Sequence, residues 1–362
     1  MLAGTARAVG GFLDRVDRWQ RDHRSAGFIY GVIRKFGQDH AGNLAALMSY
    51  YGFFSIFPLL LAFVTILGYV TAGNKHLYNT IFDSAVGSFP ILNSSSTCSG
   101  TAQHCANQSL VSNVKPLTGN PLALTIGLLL AIYAGLAVAK TAQTAFNDIY
   151  GVAQNERPNF FKGVLRAMVL VLTIGVGLIV ATFVGSLASN AGTLGLDFIG
   201  PGLRVVSILL SLAILTVVFD AAFNWLTVRP MTWRDALPGA IVAAVGYEAV
   251  SQAATAFIAH KTTTSGATYG TFALVIAILS WFYLAAQIVM FAAEINCVRQ
   301  FHFWPRALRN APSTDADFRA LEFYVERERY HADERLTTSF VPEKPAGPLL
   351  AAERSKGPDT SS

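Results

Sequence analysis

Charge is scarce in this sequence: Asp, Glu, Lys and Arg make up 14% of its 362 residues, while 52% are hydrophobic. Soluble domains average about 25% charged residues, so a water-soluble class is excluded for most of the chain. Cysteine is scarce as well. Cys98, Cys105 and Cys297 are the three present, without C-x-x-C spacing, so a cysteine-built zinc site is not indicated. The chain has no Walker A loop, no H-E-x-x-H, no G-x-S-x-G and no His/Cys/Asp cluster at ligand spacing. The signatures of nucleotide-driven, zinc-dependent and serine-hydrolase chemistry are therefore missing. No basic patch is interleaved with aromatics in the way a nucleic-acid surface requires. No apolar core follows the first charges within the first thirty residues, as a cleavable signal peptide would need. The expectation is a non-enzyme with no catalytic residues, no metal, no cofactor and no nucleic-acid partner.

Long apolar runs are what the chain does have, and its mean hydropathy is +0.43. Six of them, at about 44–70, 121–141, 164–188, 203–227, 236–258 and 270–298, are long enough to cross a hydrocarbon core that takes about 20 helical residues. The expected fold is an all-α integral membrane protein, a bundle of six transmembrane helices. Residues 1–43 form a basic N-terminal segment before it, and 299–362 form a tail after it. Basic residues set the orientation, because Lys and Arg collect on the cytoplasmic side. One side of a six-span arrangement receives 23 of the 27, and the other only Lys75, Lys115, Arg204 and Lys261. Both termini are thus expected in the cytoplasm of a bacterial cell, with the bundle in its plasma (inner) membrane.

Phe28, Ile29, Val32, Ile33 and Phe36 recur at helical spacing with Arg24, Arg34 and Lys35 around them. That pattern fits an amphipathic helix, either lying in the membrane interface or packed on the ends of the bundle. At the other terminus, 316–336 reads as a charged surface helix and 341–362 as disordered. The long polar loop 71–120 holds Cys98 and Cys105, which a disulfide would join if the loop faces an oxidising compartment.

Polar residues inside apolar runs are the site candidates, because an ionisable group within a span is costly and marks function by default. At about 1.5 Å per residue, Glu248 lies roughly 18 Å into its span, near the midplane. Asp220 lies about 25 Å into its span, at a depth similar to Lys140 at about 28 Å. Glu294 lies near the cytoplasmic interface, where it reads either as a hydrated helix-end carboxylate or as a cavity-lining translocation residue. The first span opens with Ser49, Tyr50 and Tyr51 and carries Pro58 mid-way, a kink site that frees a backbone carbonyl. The loop 260–271, with Tyr269 and Gly270, is either a re-entrant segment or a surface turn.

The stretches SYYGFFSIFPLLL (49–61), AFNDIYGVAQNERPNFF (145–161), GATYGTFALVIAILSWFYL (266–284) and FAAEIN (291–296) resemble the BrkB/YihY family of six-span bacterial membrane proteins. ALPGAIVAAVGYEAVS with SGATYG looks most like its YhjD branch. The resemblance covers all but the tails and the first outer loop, and that loop with its two cysteines is not a family hallmark. It marks Asn147, Arg157 and Asn296 as structural motif positions, beside Ser49, Tyr50, Tyr51, Pro58, Tyr269, Gly270 and Glu294. Family members once carried the label ribonuclease BN, now regarded as mistaken, and the YhjD branch has been linked to export of lipid A precursors. The resemblance thus implies a transporter or flippase-like exporter of an amphipathic envelope component, with membrane lipids as surroundings and a lipid or lipid precursor as substrate. The alternative is a non-transporting scaffold for envelope biogenesis; self-association is open to either.

Overall fold

The computed structural model describes residues 11, 14–71, 74, 82, 121–159, 161–169, 173, 175–177, 180, 200–229, 231–261, 270–308 and 313–339. Cys98, Cys105, Tyr269 and the segment 341–362 lie outside the described residues. Regular structure among the described residues is helical throughout. The helices used below are α1 (Arg24–Gln38), α2 (Ala41–Val70), α3 (Pro121–Ile149), α4 (Gly200–Leu226), α5 (Trp233–Lys261), α6 (Gly270–Phe301) and α7 (Asp315–Arg327). A further helical stretch runs through 161–169.

Four helical stretches among the described residues are long and apolar enough to cross a membrane: Ala41–Gly68, Thr125–Ile149, Ile208–Leu226 and Val275–Phe301. The expected fifth span, 236–258, falls within the 29-residue helix α5, which carries Glu248, Ser251 and Gln252 and is not among these four. The third lies only partly within the described residues. Outward-facing Leu129, Tyr133, Leu209 and Ile241 leave a surface that water would solvate poorly and lipid would not.

Helix α6 touches α1, α2, α3 and α5, which makes it the centre of the bundle. From it the packing runs α5 to α4 on one side and α2 to α3 on the other. The ring closes where Phe146 of α3 meets Phe223 of α4, at 5.5 Å between centroids. Small residues let the backbones approach: Ala236, Ala240, Ala243, Ala292 and Ala293 are all buried. Lipid tails give no hydrophobic drive between helices, so this close contact and interhelical polar bonds must hold the bundle.

The ends of the helices are fixed by specific chemistry. α3 stops in a Schellman motif: Gly151 at φ +62° donates to the Asp148 carbonyl at 3.2 Å, and Val152 donates to Asn147 at 2.9 Å. A Cβ on Gly151 would stand 2.3 Å from the Phe323 ring. The C-terminal segment therefore packs into the place that glycine leaves. Helix α7 begins in a capping box between Thr314 and Asp317 and buries Ala316, Ala320 and Phe323. It ends earlier than expected and is half core rather than a charged surface helix. Helix α1 also differs from expectation. Its cation Lys35 is buried, whereas Ile29 and Ile33 on the opposite face are 57% and 55% exposed.

Gly151→Ala is expected to destabilise the protein by about 2–4 kcal/mol, combining left-handed backbone strain with displacement of Phe323. Thermal unfolding in detergent, followed by near-UV circular dichroism, measures it; an unchanged midpoint would mean that Phe323 does not occupy this position.

Candidate functional site

Glu294 is wholly buried, which overturns its reading as a hydrated helix-end carboxylate. Its Oε2 accepts from Lys35 Nζ at 2.8 Å, and neither side chain is exposed at all. Lys35 donates also to Asp39 Oδ2, one helical turn on, and at 2.9 Å to the Ile149 carbonyl that ends α3. The other Asp39 oxygen pairs with Arg327 Nη1 from α7 at 3.0 Å. The network contains two cations, Lys35 and Arg327, and two carboxylates, Asp39 and Glu294, so the charges balance. Burial alone would pull the Lys35 ammonium down, but Cys297, Glu294 and Asp39 hold it well above the usual lysine range. Cys297 Sγ lies 3.2 Å from the same Ile149 carbonyl. That carbonyl is one of the orphans of a helix C-terminus, and the network gives it a partner.

Around this centre the motif asparagines work as clamps. Asn296 Oδ1 accepts from Gly239 N at 2.7 Å, and its Nδ2 donates to the Ala236 carbonyl at 3.0 Å, joining α6 to α5. Pro238 has no N–H for the Arg234 carbonyl one turn back, and Arg299 Nη1 supplies a donor to it at 3.2 Å. Asn147 Oδ1 accepts from Val228 N at 3.2 Å, just beyond the end of α4. Arg157 pairs with Asp148 at 2.6 Å. Arg229 donates to the Tyr150 carbonyl at 3.1 Å and lies over the Phe301 ring, 4.6 Å from its centroid. A satellite cluster ties on α7: Asp317 Oδ1 meets Arg306 Nε at 2.7 Å and Arg34 at 3.1 Å. Asp17 accepts from Leu308 N at 2.7 Å beside it.

The remaining candidates are dispersed. Buried Ser49 donates to the Leu279 carbonyl at 3.0 Å, so it holds α2 to α6. Tyr50 and Tyr51 point outward, 55% and 39% exposed, with Tyr50 packed on Phe54 at 4.8 Å. Helix α2 continues unbroken through Pro58, and Gly270 is the first residue of α6. Asp220 is 2% exposed; Asn224 of its own helix approaches one oxygen at 3.3 Å, and the other has no donor among the described residues. Lys140, of similar depth, is exposed. Glu248 is half-buried and bonded by Gln252 Nε2 at 2.8 Å. Glu248 and Glu294 belong to separate surroundings, the first partly open and the second sealed.

Sequence reasoning missed Lys35 as the partner of Glu294, and with it Asp39, which shares Lys35, and Arg327, which pairs with Asp39. A signal was available: Lys35 follows Phe28 and Val32 at heptad-like spacing, so it shares the apolar face of α1. Only the tertiary fold, however, brings that face to residue 294.

The sequence pattern of the family described as virulence factor BrkB matches residues 32–315. A UPF0761 membrane protein of Pseudomonas aeruginosa is 26% identical over 333 residues, 88% of this chain and 74% of the relative. The inner membrane protein YhjD of Escherichia coli is 23% identical over 283 residues, 74% of this chain and 80% of the relative. A Bacillus subtilis relative named putative ribonuclease-like protein YfkH is 22% identical over 283 residues, 75% of this chain and 94% of the relative. No solved structure matches the chain.

The satellite cluster gives α7 a defined pH response. Burial pushes the Asp317 carboxyl up, but the Thr314 and Ala307 N–H groups and Arg306 outweigh it and hold the carboxyl below the usual aspartate value. A depressed folded pKa contributes stability that is present above the unfolded value of ~3.9 and is lost as pH falls through the folded one. Hydrogen-exchange protection of α7, corrected for intrinsic rates, is therefore expected to hold from neutral pH to about 4.5 and to fall below about 4. Asp317→Asn should weaken it at neutral pH and flatten the acid dependence. A drop already near pH 6 would assign the contact to another group.

Proposed function

The chain belongs to the virulence factor BrkB family, and from that premise we propose that it is an inner-membrane carrier that moves an amphipathic envelope component, a lipid or lipid precursor, across the bilayer. In this reading six helices span the membrane and both termini lie in the cytoplasm. Helix α5 counts as a span because it packs between α4 and α6, both of which hold an apolar stretch of spanning length.

Glu248 carries the proposal. It stands fifteen residues into α5, about 23 Å along a helix that would cross a ~30 Å core. It is half-buried and bonded only to Gln252 among the described residues. A carboxylate at that depth is not tolerated against hydrocarbon, so it calls for a wet cavity or a polar headgroup. Glu294, by contrast, is consumed by Lys35 and holds the structure. The buried Asp220, one oxygen without a donor, adds a second polar position in the neighbouring helix α4. Nothing in the geometry favours ribonuclease chemistry, for which the chain offers no recognisable acid–base or metal-ligand motif.

The scaffold alternative would use the C-terminal segment as a free docking arm. Helix α7 is instead built into the bundle through Phe323, Asp317 and Arg327. Deleting it would damage the fold under either reading, so the two are better separated at Glu248.

Purified protein in liposomes is expected to accelerate the crossing of a headgroup-labelled phospholipid, read by the fraction a membrane-impermeant quencher can reach. Glu248→Gln should return the rate to that of protein-free vesicles. No acceleration by the wild type would sink the carrier reading, and equal rates for both proteins would remove Glu248 from it.

A further inference from the structure

We propose that the start of the helical stretch 161–169 is a binding site for an anionic phospholipid headgroup, with Lys162 and Arg166 as the cations that hold it. The two are one helical turn apart, and both are exposed. Neither has an ion-pair or hydrogen-bond partner among the described residues, whereas most cations at this end of the bundle have one. Lys35, Arg157, Arg306 and Arg327 are all taken up by carboxylates.

Their level relative to the bilayer follows from α3. The apolar run of that helix ends at Ala139 and gives way to Lys140, Thr141, Gln143 and Asn147. Lys140, exposed, therefore marks the boundary between hydrocarbon and headgroups. Gln143, one turn further on, is 6% exposed and donates from Nε2 to the Gly163 carbonyl at 2.9 Å. This bond fixes the 161–169 stretch against α3, so Lys162 and Arg166 lie on either side of the Gln143 level, within about one helical turn of Lys140. Phe161 and Leu165, on the adjacent stripe of the same helix, are 83% and 66% exposed. An apolar stripe beside two cations suits the junction of acyl chains and phosphates, where each surface Lys or Arg attracts anionic lipid. Soluble phosphate would use the cations alone and leave Phe161 and Leu165 in water. The observations therefore favour a lipid over the free anion, and the site stands independently of any transport activity.

Native mass spectrometry of the full-length protein, released from detergent with increasing phosphatidylglycerol, tests the assignment. Lys162→Gln/Arg166→Gln is expected to weaken phosphatidylglycerol binding by roughly tenfold or more, the scale of removing two surface cations. Phosphatidylcholine adducts should be unchanged. Lys162→Arg/Arg166→Lys keeps the charge and should keep the binding, which separates loss of charge from loss of fold. Undiminished phosphatidylglycerol binding in the Gln variant would overturn the proposal. So would equal loss in the charge-preserving variant, or competition by millimolar inorganic phosphate, which would make this an anion site without lipid specificity.

Discussion

Everything at the crowded end of this bundle depends on keeping the ammonium of Lys35 out of water. Desolvating such a charge costs several kcal/mol, and it is repaid only by close counter-charges and a full set of acceptors. Lys35 finds these acceptors in three different places: Asp39 at the link to α2, Glu294 on α6 and the last carbonyl of α3. Arg327 of α7 then neutralises the second carboxylate. A group that cannot be left unpaired thus fixes the mutual positions of α1, α3, α6 and α7. It also accounts for the inverted face of α1, since turning Lys35 inward leaves Ile29 and Ile33 outward.

Polar clamps extend the same logic to the other helices. In an apolar medium a backbone group without a partner is costly, and the chain repeatedly assigns a side chain to each gap. Arg299 covers the carbonyl that Pro238 orphans, Asn296 bridges α6 to α5, and Asn147 closes the exit of α4. These bonds are interhelical, so satisfying the backbone and assembling the bundle are one process. Glu248 takes part in none of these clamps: it is half-buried and bonded by Gln252 of its own helix.

The membrane class and the main helices were legible because apolar run length is a property of the sequence alone; the run at 270–298 became Gly270–Phe301 with little change. Family resemblance also singled out Asn147, Arg157 and Asn296, though not what each one bonds. Glu294 shows where reading along the chain fails. Depth along one helix placed it near headgroups, but burial is decided by what covers the helix end, here α1 from 259 residues earlier in the chain and α7 from the tail. Helix α7 was misread for the related reason that its acidic residues, Asp317 among them, looked solvated. Their cations, Arg306 and Arg34, become visible only when the segment folds back.

A double-mutant cycle on equilibrium unfolding in mixed detergent micelles, using Lys35→Met, Glu294→Gln and the combination, measures whether Lys35 and Glu294 stabilise the fold as a pair. Each single change should cost about 3–5 kcal/mol by stranding a buried partner. The combination should cost at least about 2 kcal/mol less than their sum, because the second removal relieves the first. Simple additivity would contradict the account.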